Sequence, residues 1–140
     1  MPRKPPRFFL AHAKSCDDAE LDRLTKACAK VLDTFAAGRP FDLILGRAYF
    51  EARFKEAGSW AAWTAEVANG VDYLTREPNF TAIMIPEGPI GAGTAKIVEG
   101  AVAGNRPVYA FDDAGRHRRV VGLTQTDPKN WQTGWKLVLG

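Results

Sequence analysis

Apolar residues in this chain fall into short compact blocks separated by stretches with helical spacing, and that alternation is the main structural signal. Residues 8–11, FFLA, form an apolar run bounded by polar residues, short enough for a buried strand. Asp17 and Glu20 then have the N-cap to N3 spacing of a capping box. Leu21, Leu24, Cys28, Val31 and Phe35 follow at helical intervals until Gly38 and Pro40 stop the segment. Residues 41–45, FDLIL, predict a second buried strand, which Gly46 breaks before a short helix in AYFEARFKEAG. Ser59 can cap a further helix whose Trp60, Trp63, Val67, Val71 and Leu74 share one face before Pro78, a stripe that reads as core.

The second half repeats the pattern and then changes it. Residues 80–85, FTAIMI, predict a third strand, followed by the loop PEGPIGAGT and a helix from about Ala95 to Ala103, ended by Gly104 and Asn105. Residues 107–111, PVYAF, give a fourth strand. Strands alternating with helices at this spacing imply parallel pairing through crossovers, with both sheet faces covered. RRVVGLT and GWKLVL, joined by TDPKNWQT, read instead as antiparallel strands at the sheet edge. The expected fold is a small Rossmann-like α/β open sandwich, mostly parallel, with antiparallel C-terminal edge strands. Residues 1–7 are expected to form a flexible basic Pro-rich tail and residues 8–140 a single domain.

Composition narrows the class. The 140 residues are 46% apolar and 25% charged, which suits one globular domain with its own core and excludes disordered, collagen-like and coiled-coil chains. No apolar run approaches the ~18–20 residues of a bilayer span, so a soluble, unexported, cytoplasmic protein is expected. Cys16 and Cys28 lack CxxC spacing and read as reduced thiols. The net charge of +3 traces to Arg3, Lys4 and Arg7 in the opening segment, so the folded part is neutral and nucleic acid is not the expected partner. A second basic cluster, Arg116 to Arg119, falls in an apparent hairpin and reads as a solvated edge.

In an open parallel sheet, ligands bind outside the carboxyl ends of the strands. That rule nominates the loops His12–Asp17, Gly46–Tyr49, Pro86–Thr94 and Asp112–Gly115. Five of the thirteen glycines lie between Gly88 and Gly104. Around Gly88, Gly91 and Gly93, missing side chains let a ligand approach the backbone, and the following helix start offers outward N–H groups to an anion or a sugar. Thr94 can add a hydroxyl to the ligand or cap its own helix. The pattern is neither GxGxxG nor a Walker A loop, so neither a dinucleotide fingerprint nor ATP hydrolysis is expected, and no cofactor is called for. His12 can donate to phosphate, act as acid or base, or serve as a structural hydrogen-bonding residue. Lys14 and Ser15 can contact an anion or solvate their loop. Arg47 can clamp a phosphate or pair on a helix surface. Tyr49 or Phe50 can stack on a base, though one of them must pack the sheet. With only His12 and His117 present, a histidine-rich metal site is excluded.

The stretch from Ile85 to Phe111, with its Gly-x-Gly-Thr turn and Gly104-Asn105-Arg106-Pro107-Val108 entering a strand, resembles nucleoside 2-deoxyribosyltransferase-like proteins. It also resembles lonely-guy-type nucleotide phosphoribohydrolases, and the opening FFLAHAKS is similar to the deoxyribosyltransferase start. The resemblance implies a Rossmann-like protein that binds a nucleoside, nucleotide or sugar phosphate at the glycine loop, often as a homo-oligomer. Both families place a catalytic glutamate three residues past the position of Thr94, where this chain has Ile97. An oxocarbenium-like transition state needs a nearby carboxylate, which isoleucine cannot supply. Glu99 should face away, about 200° further round the helix. Glu87 and Asp112 are the candidate catalytic acids; Glu87, Asp112 and Asp113 can equally be turn-forming residues exposed to water. The expected function is nucleoside or nucleotide binding, with N-glycosidase or deoxyribosyltransferase activity if one of these acids serves. The alternative is a non-catalytic sensor or interaction module, and a third reading is a nucleic-acid-associated protein that uses the basic tail and the Arg116–Arg119 cluster.

Overall fold

The computed structural model describes residues 5–12, 16–46, 48–49, 51, 55, 58, 80–125 and 134–140. Six strands form one sheet: β1 (Arg7–Leu10), β2 (Asp42–Leu45), β3 (Phe80–Pro86), β4 (Val108–Phe111), β5 (His117–Gln125) and β6 (Trp135–Leu139). Their order is β2-β1-β3-β4-β5-β6, with the first four parallel and β5 and β6 antiparallel. The helices are α1 (Asp18–Ala36) and α2 (Ala92–Ala103). This is the mixed α/β sandwich with a mostly parallel sheet that the alternation of blocks predicts. No helix among the described residues is long and apolar enough to cross a membrane.

The period-two alternation of the strands divides the core into two layers. Phe8, Leu10, Ala82, Met84 and Phe111 face α1, meeting its Leu21, Leu24, Cys28, Val31 and Leu32. The intervening Phe9, Ile83, Ile85, Val108 and Ala110 face the other way, toward Val98 and Ala101 of α2. The two helices therefore cover opposite faces. Right-handed crossovers require this, because α1 carries the chain from β1 outward to β2 whereas α2 carries it from β3 outward to β4 in the opposite direction.

Local chemistry sets the helix ends. The Asp17 carboxylate accepts the Glu20 N–H at 2.8 Å, so α1 starts at the expected cap. It stops where Ala37 and Gly38 enter the left-handed region at φ 51° and 79°. Helix α2 begins three residues earlier than its apolar spacing suggests. Gly91 is its N-cap, so Gly93 and Thr94 lie inside the first turn and Thr94 does not cap the helix. Strand β1 also begins one residue sooner than expected. Arg7 belongs to β1, with its guanidinium 4.9 Å from the centre of the Phe80 ring, and the Pro6 carbonyl accepts the Asp42 N–H at 2.9 Å.

Gly46, Ala48, Tyr49, Glu51 and Lys55 are helical, in the segment expected to form a short helix. The expected helix after Ser59, with its stripe from Trp60 to Leu74, and the connection TDPKNWQT lie outside the described residues. In β5 the register slips by one residue between Val120 and Gly122, inserting Val121 as a bulge.

Both cysteines are buried and neither forms a disulfide. Burial pushes the Cys28 thiol from 9.0 up to about 12. The folded chain holds this proton after the unfolded chain has lost it. The group therefore contributes its full stability below about pH 9 and loses that contribution as the pH rises toward 12. We expect the urea-unfolding stability of the wild type minus that of Cys28→Ala to shrink steadily from pH 8.5 to pH 11. A pH-independent difference contradicts the assignment.

Candidate functional site

The chain turns left from β1 to β2 and right from β3 to β4, so the sheet changes winding direction between the adjacent strands β1 and β3. At such a point the loops leaving the two carboxyl ends diverge and open a crevice. His12 stands at one lip. The ladder reaches it through Ala11, whose N–H donates to Met84 O at 2.8 Å. Glu87 and Gly88 stand at the other lip. Glu87 is exposed, and its N–H donates to Phe111 O at 2.9 Å, which extends the β3–β4 pairing to the rim. Gly88, at φ 128°, makes the turn that follows, a backbone conformation few other residues adopt.

Gly46 brings the end of β2 close to this rim. A Cβ there would lie 2.9 Å from Leu10 O, 3.4 Å from the Phe9 ring and 3.5 Å from His12 Cδ2. Its bareness lets the β2 exit pack against the β1 exit. A glycine directly after a predicted strand was the available signal, although it read only as a strand terminator. Lys14, Ser15 and Arg47, the other cations and hydroxyl nominated for these two loops, lie outside the described residues.

The two helix starts differ electrostatically. Helix α1 has a carboxylate cap and carries Asp18 and Glu20 in its first turn, which already complement its positive end. Helix α2 has neither a side-chain cap nor an acidic residue in its first turn. Its ladder opens with Ala95 N–H to Gly91 O at 2.9 Å, so the N–H groups of Ala92, Gly93 and Thr94 have no acceptor inside the helix. Of the two, the α2 start is the one suited to an anion or sugar oxygen.

Ile90 holds this loop in place. Its N–H donates to Trp135 O at 3.1 Å, in an isolated antiparallel bridge to the first residue of β6. The β5–β6 hairpin thus returns across α2, which packs on β5 and β4, and fastens the loop that leaves β3. A single apolar residue inside a glycine-rich loop was the only sequence cue to this clamp.

Several nominated residues have other employment. Both oxygens of Asp112 hold the β4–β5 turn: Oδ1 accepts from the backbone N–H of Ala114 (2.9 Å) and Arg116 (3.0 Å), and Oδ2 pairs with Arg116 Nε at 3.2 Å. Asp113 pairs with Arg23 of α1. Tyr49 packs edge-on to Phe9 and Phe80, with centroids 5.6 and 6.0 Å away. Because Phe80 opens β3, the Tyr49 ring sits in the apolar layer toward the amino ends of the strands, where it serves packing. Ile97 packs against the same layer. Glu99 is exposed and borders a groove of about 420 Å³ lined also by Val102, Ala103, Gly122, Leu123 and Trp135. This groove flanks the second half of α2. Its walls are mainly apolar, and its carboxylate disfavours anions, so the strand-end crevice is the better candidate. Among the described residues no group of three or more His, Cys, Asp or Glu side chains is placed to hold a metal ion.

Comparison with models of known families, with characterised proteins and with solved structures finds no match.

The Asp112 geometry separates a structural from a chemical role. Asp112→Ala should lower unfolding stability by about 1–3 kcal/mol, because the turn N–H groups lose their acceptor. Asp112→Asn, which keeps Oδ1, should cost clearly less in the same denaturant titration. Equal losses for the two variants contradict the turn role.

Proposed function

We propose that the protein binds a nucleoside or nucleotide in the crevice between the carboxyl ends of β1 and β3. The phosphate or ribose rests on the first turn of α2, beside Gly88, Gly91, Gly93 and Thr94. The observation that carries this reading is the contrast between the helix starts: that of α2, entered from the loop that leaves β3, lacks both a side-chain cap and acidic residues. His12 follows β1 on the opposite lip, within reach of the same crevice. The likeness of Ile85–Phe111 to nucleoside- and nucleotide-processing families supports the same ligand class.

Binding without bond cleavage is the favoured mode. Ile97 fills space in the apolar layer, and Asp112 is committed to its turn. Glu87 supports a second reading, hydrolysis or transfer at an N-glycosidic bond. Its carboxylate is exposed at the rim, where a negative charge can stabilise an oxocarbenium-like centre.

A panel of nucleosides, nucleoside monophosphates and oxidised nicotinamide dinucleotide tests both readings by thermal unfolding and by chromatography for released base. A ligand at ~100 times its dissociation constant adds about 2.7 kcal/mol, a rise of several degrees in Tm. We expect that rise for at least one ligand, its loss in Gly93→Val, and no free base. Base release abolished by Glu87→Gln would establish the second reading instead. No stabilisation by any member of the panel contradicts the binding proposal.

A further inference from the structure

On the α1 side of the sheet, β5 and β6 are covered by no described helix. The apolar cluster under α1 contains residues of β1, β3 and β4 but none of β5 or β6. On β6, Leu137 and Leu139 point to the α2 side, so alternation sends Lys136 and Val138 to the α1 side. Their partners across the ladder are Thr124 and Gly122, and nothing lies within 4 Å of where a Gly122 Cβ would be. The bulged Val121 is 53% exposed and Val138 36%, an unusual outlay of apolar area for two paired strands.

Aromatic and cationic groups continue this surface toward the end of α1. Phe35, 38% exposed, lies with its ring centre 4.8 Å from Tyr109 and 4.6 Å from His117. The Arg119 guanidinium sits over the Tyr109 ring at 5.6 Å. The charge on this face has one sign: β5 and β6 carry Arg119 and Lys136 here and contain no acidic residue. The nearest turn acids, Asp112 and Asp113, are engaged by Arg116 and Arg23.

We propose that this stripe, from Phe35 and His117 through Arg119 and Val121 to Lys136, binds single-stranded nucleic acid. Exposed rings and flat apolar surface accept unstacked bases, while arginine and lysine beside them meet the phosphates. From His117 to Thr124 the strand covers roughly 23 Å at ~3.3 Å per residue, which suits the short end of single-strand site sizes, about four nucleotides. A second copy of this chain fits less well, because pairing the face with itself would set cations against cations. The surface is separate from the strand-end crevice, and the proposal stands or falls independently of nucleotide binding there.

The test is fluorescence anisotropy of the full chain with labelled 12-nucleotide single strands, a matched duplex as control, and saturating nucleoside monophosphate as competitor. We expect saturable binding of the single strand, weaker binding of the duplex and no competition by the mononucleotide. Arg119→Ala combined with Lys136→Ala should weaken binding at least tenfold and flatten the salt slope by about 1.4. Phe35→Ala should weaken it at least fivefold with the slope unchanged. Val121→Glu, at an exposed position, should abolish binding while circular dichroism stays native. The proposal is overturned by absence of binding at low salt, by binding that survives Val121→Glu, or by equal competition from poly-glutamate. A dimer in light scattering that Val121→Glu dissociates would likewise assign the face to a second copy.

Discussion

The reversal of winding between β1 and β3 is the constraint on which the rest of the structure depends. Handedness of the crossovers forces α1 and α2 onto opposite faces, and the chain must then leave the two central strands in opposite directions. One strand pair therefore does two jobs. It occupies the middle of the core, where Phe9, Leu10, Ile83, Met84 and Ile85 are fully buried, and its carboxyl ends create the crevice. The scaffold under the candidate site is thus close-packed core, a favourable basis for a preorganised anion site.

Two further interactions shape the rim without touching a ligand. Gly46 removes a side chain where β2 ends, so that its exit packs on Leu10 O and His12. The Ile90–Trp135 bridge ties the glycine loop to the far end of the C-terminal hairpin. A loop with several glycines loses much conformational entropy on ordering, and a backbone hydrogen bond within it offsets part of that cost. The hairpin thus acts as an edge extension and as a brace for the loop. Among the described residues no helix covers its other face, because α1 reaches only as far as β4.

Much of this was legible in the residues. Period-two blocks such as Phe8 to Leu10 and Ala82 to Ile85 assign the strands and both of their faces, and the Asp17–Glu20 spacing marks the start of α1 to the residue. The start of α2 was misplaced because Gly91-Ala-Gly93 looks like loop by composition, whereas tertiary packing of Val98 and Ala101 carries the helix three residues further back. Asp112 shows the other limit: a carboxylate after a strand is equally a ligand group and a turn former, and only its hydrogen bonds to Ala114 and Arg116 decide. Tyr49 could not be separated from a base-stacking residue until Phe9 and Phe80 were found against its ring. The Val121 bulge and the Ile90 bridge depend on register between segments distant in sequence, which no local pattern encodes.

Backbone amide chemical shifts give the most direct measure of whether the start of α2 is an anion site. In a titration with a nucleoside monophosphate followed by proton–nitrogen correlation spectra, the amides of Ala92, Gly93 and Thr94 should move most. His12 and Glu87 should follow them, and the amides of the α1 first turn should stay still. Saturable shifts centred on α1 or on the Glu99–Trp135 groove, with the three α2 amides unmoved, would contradict the account.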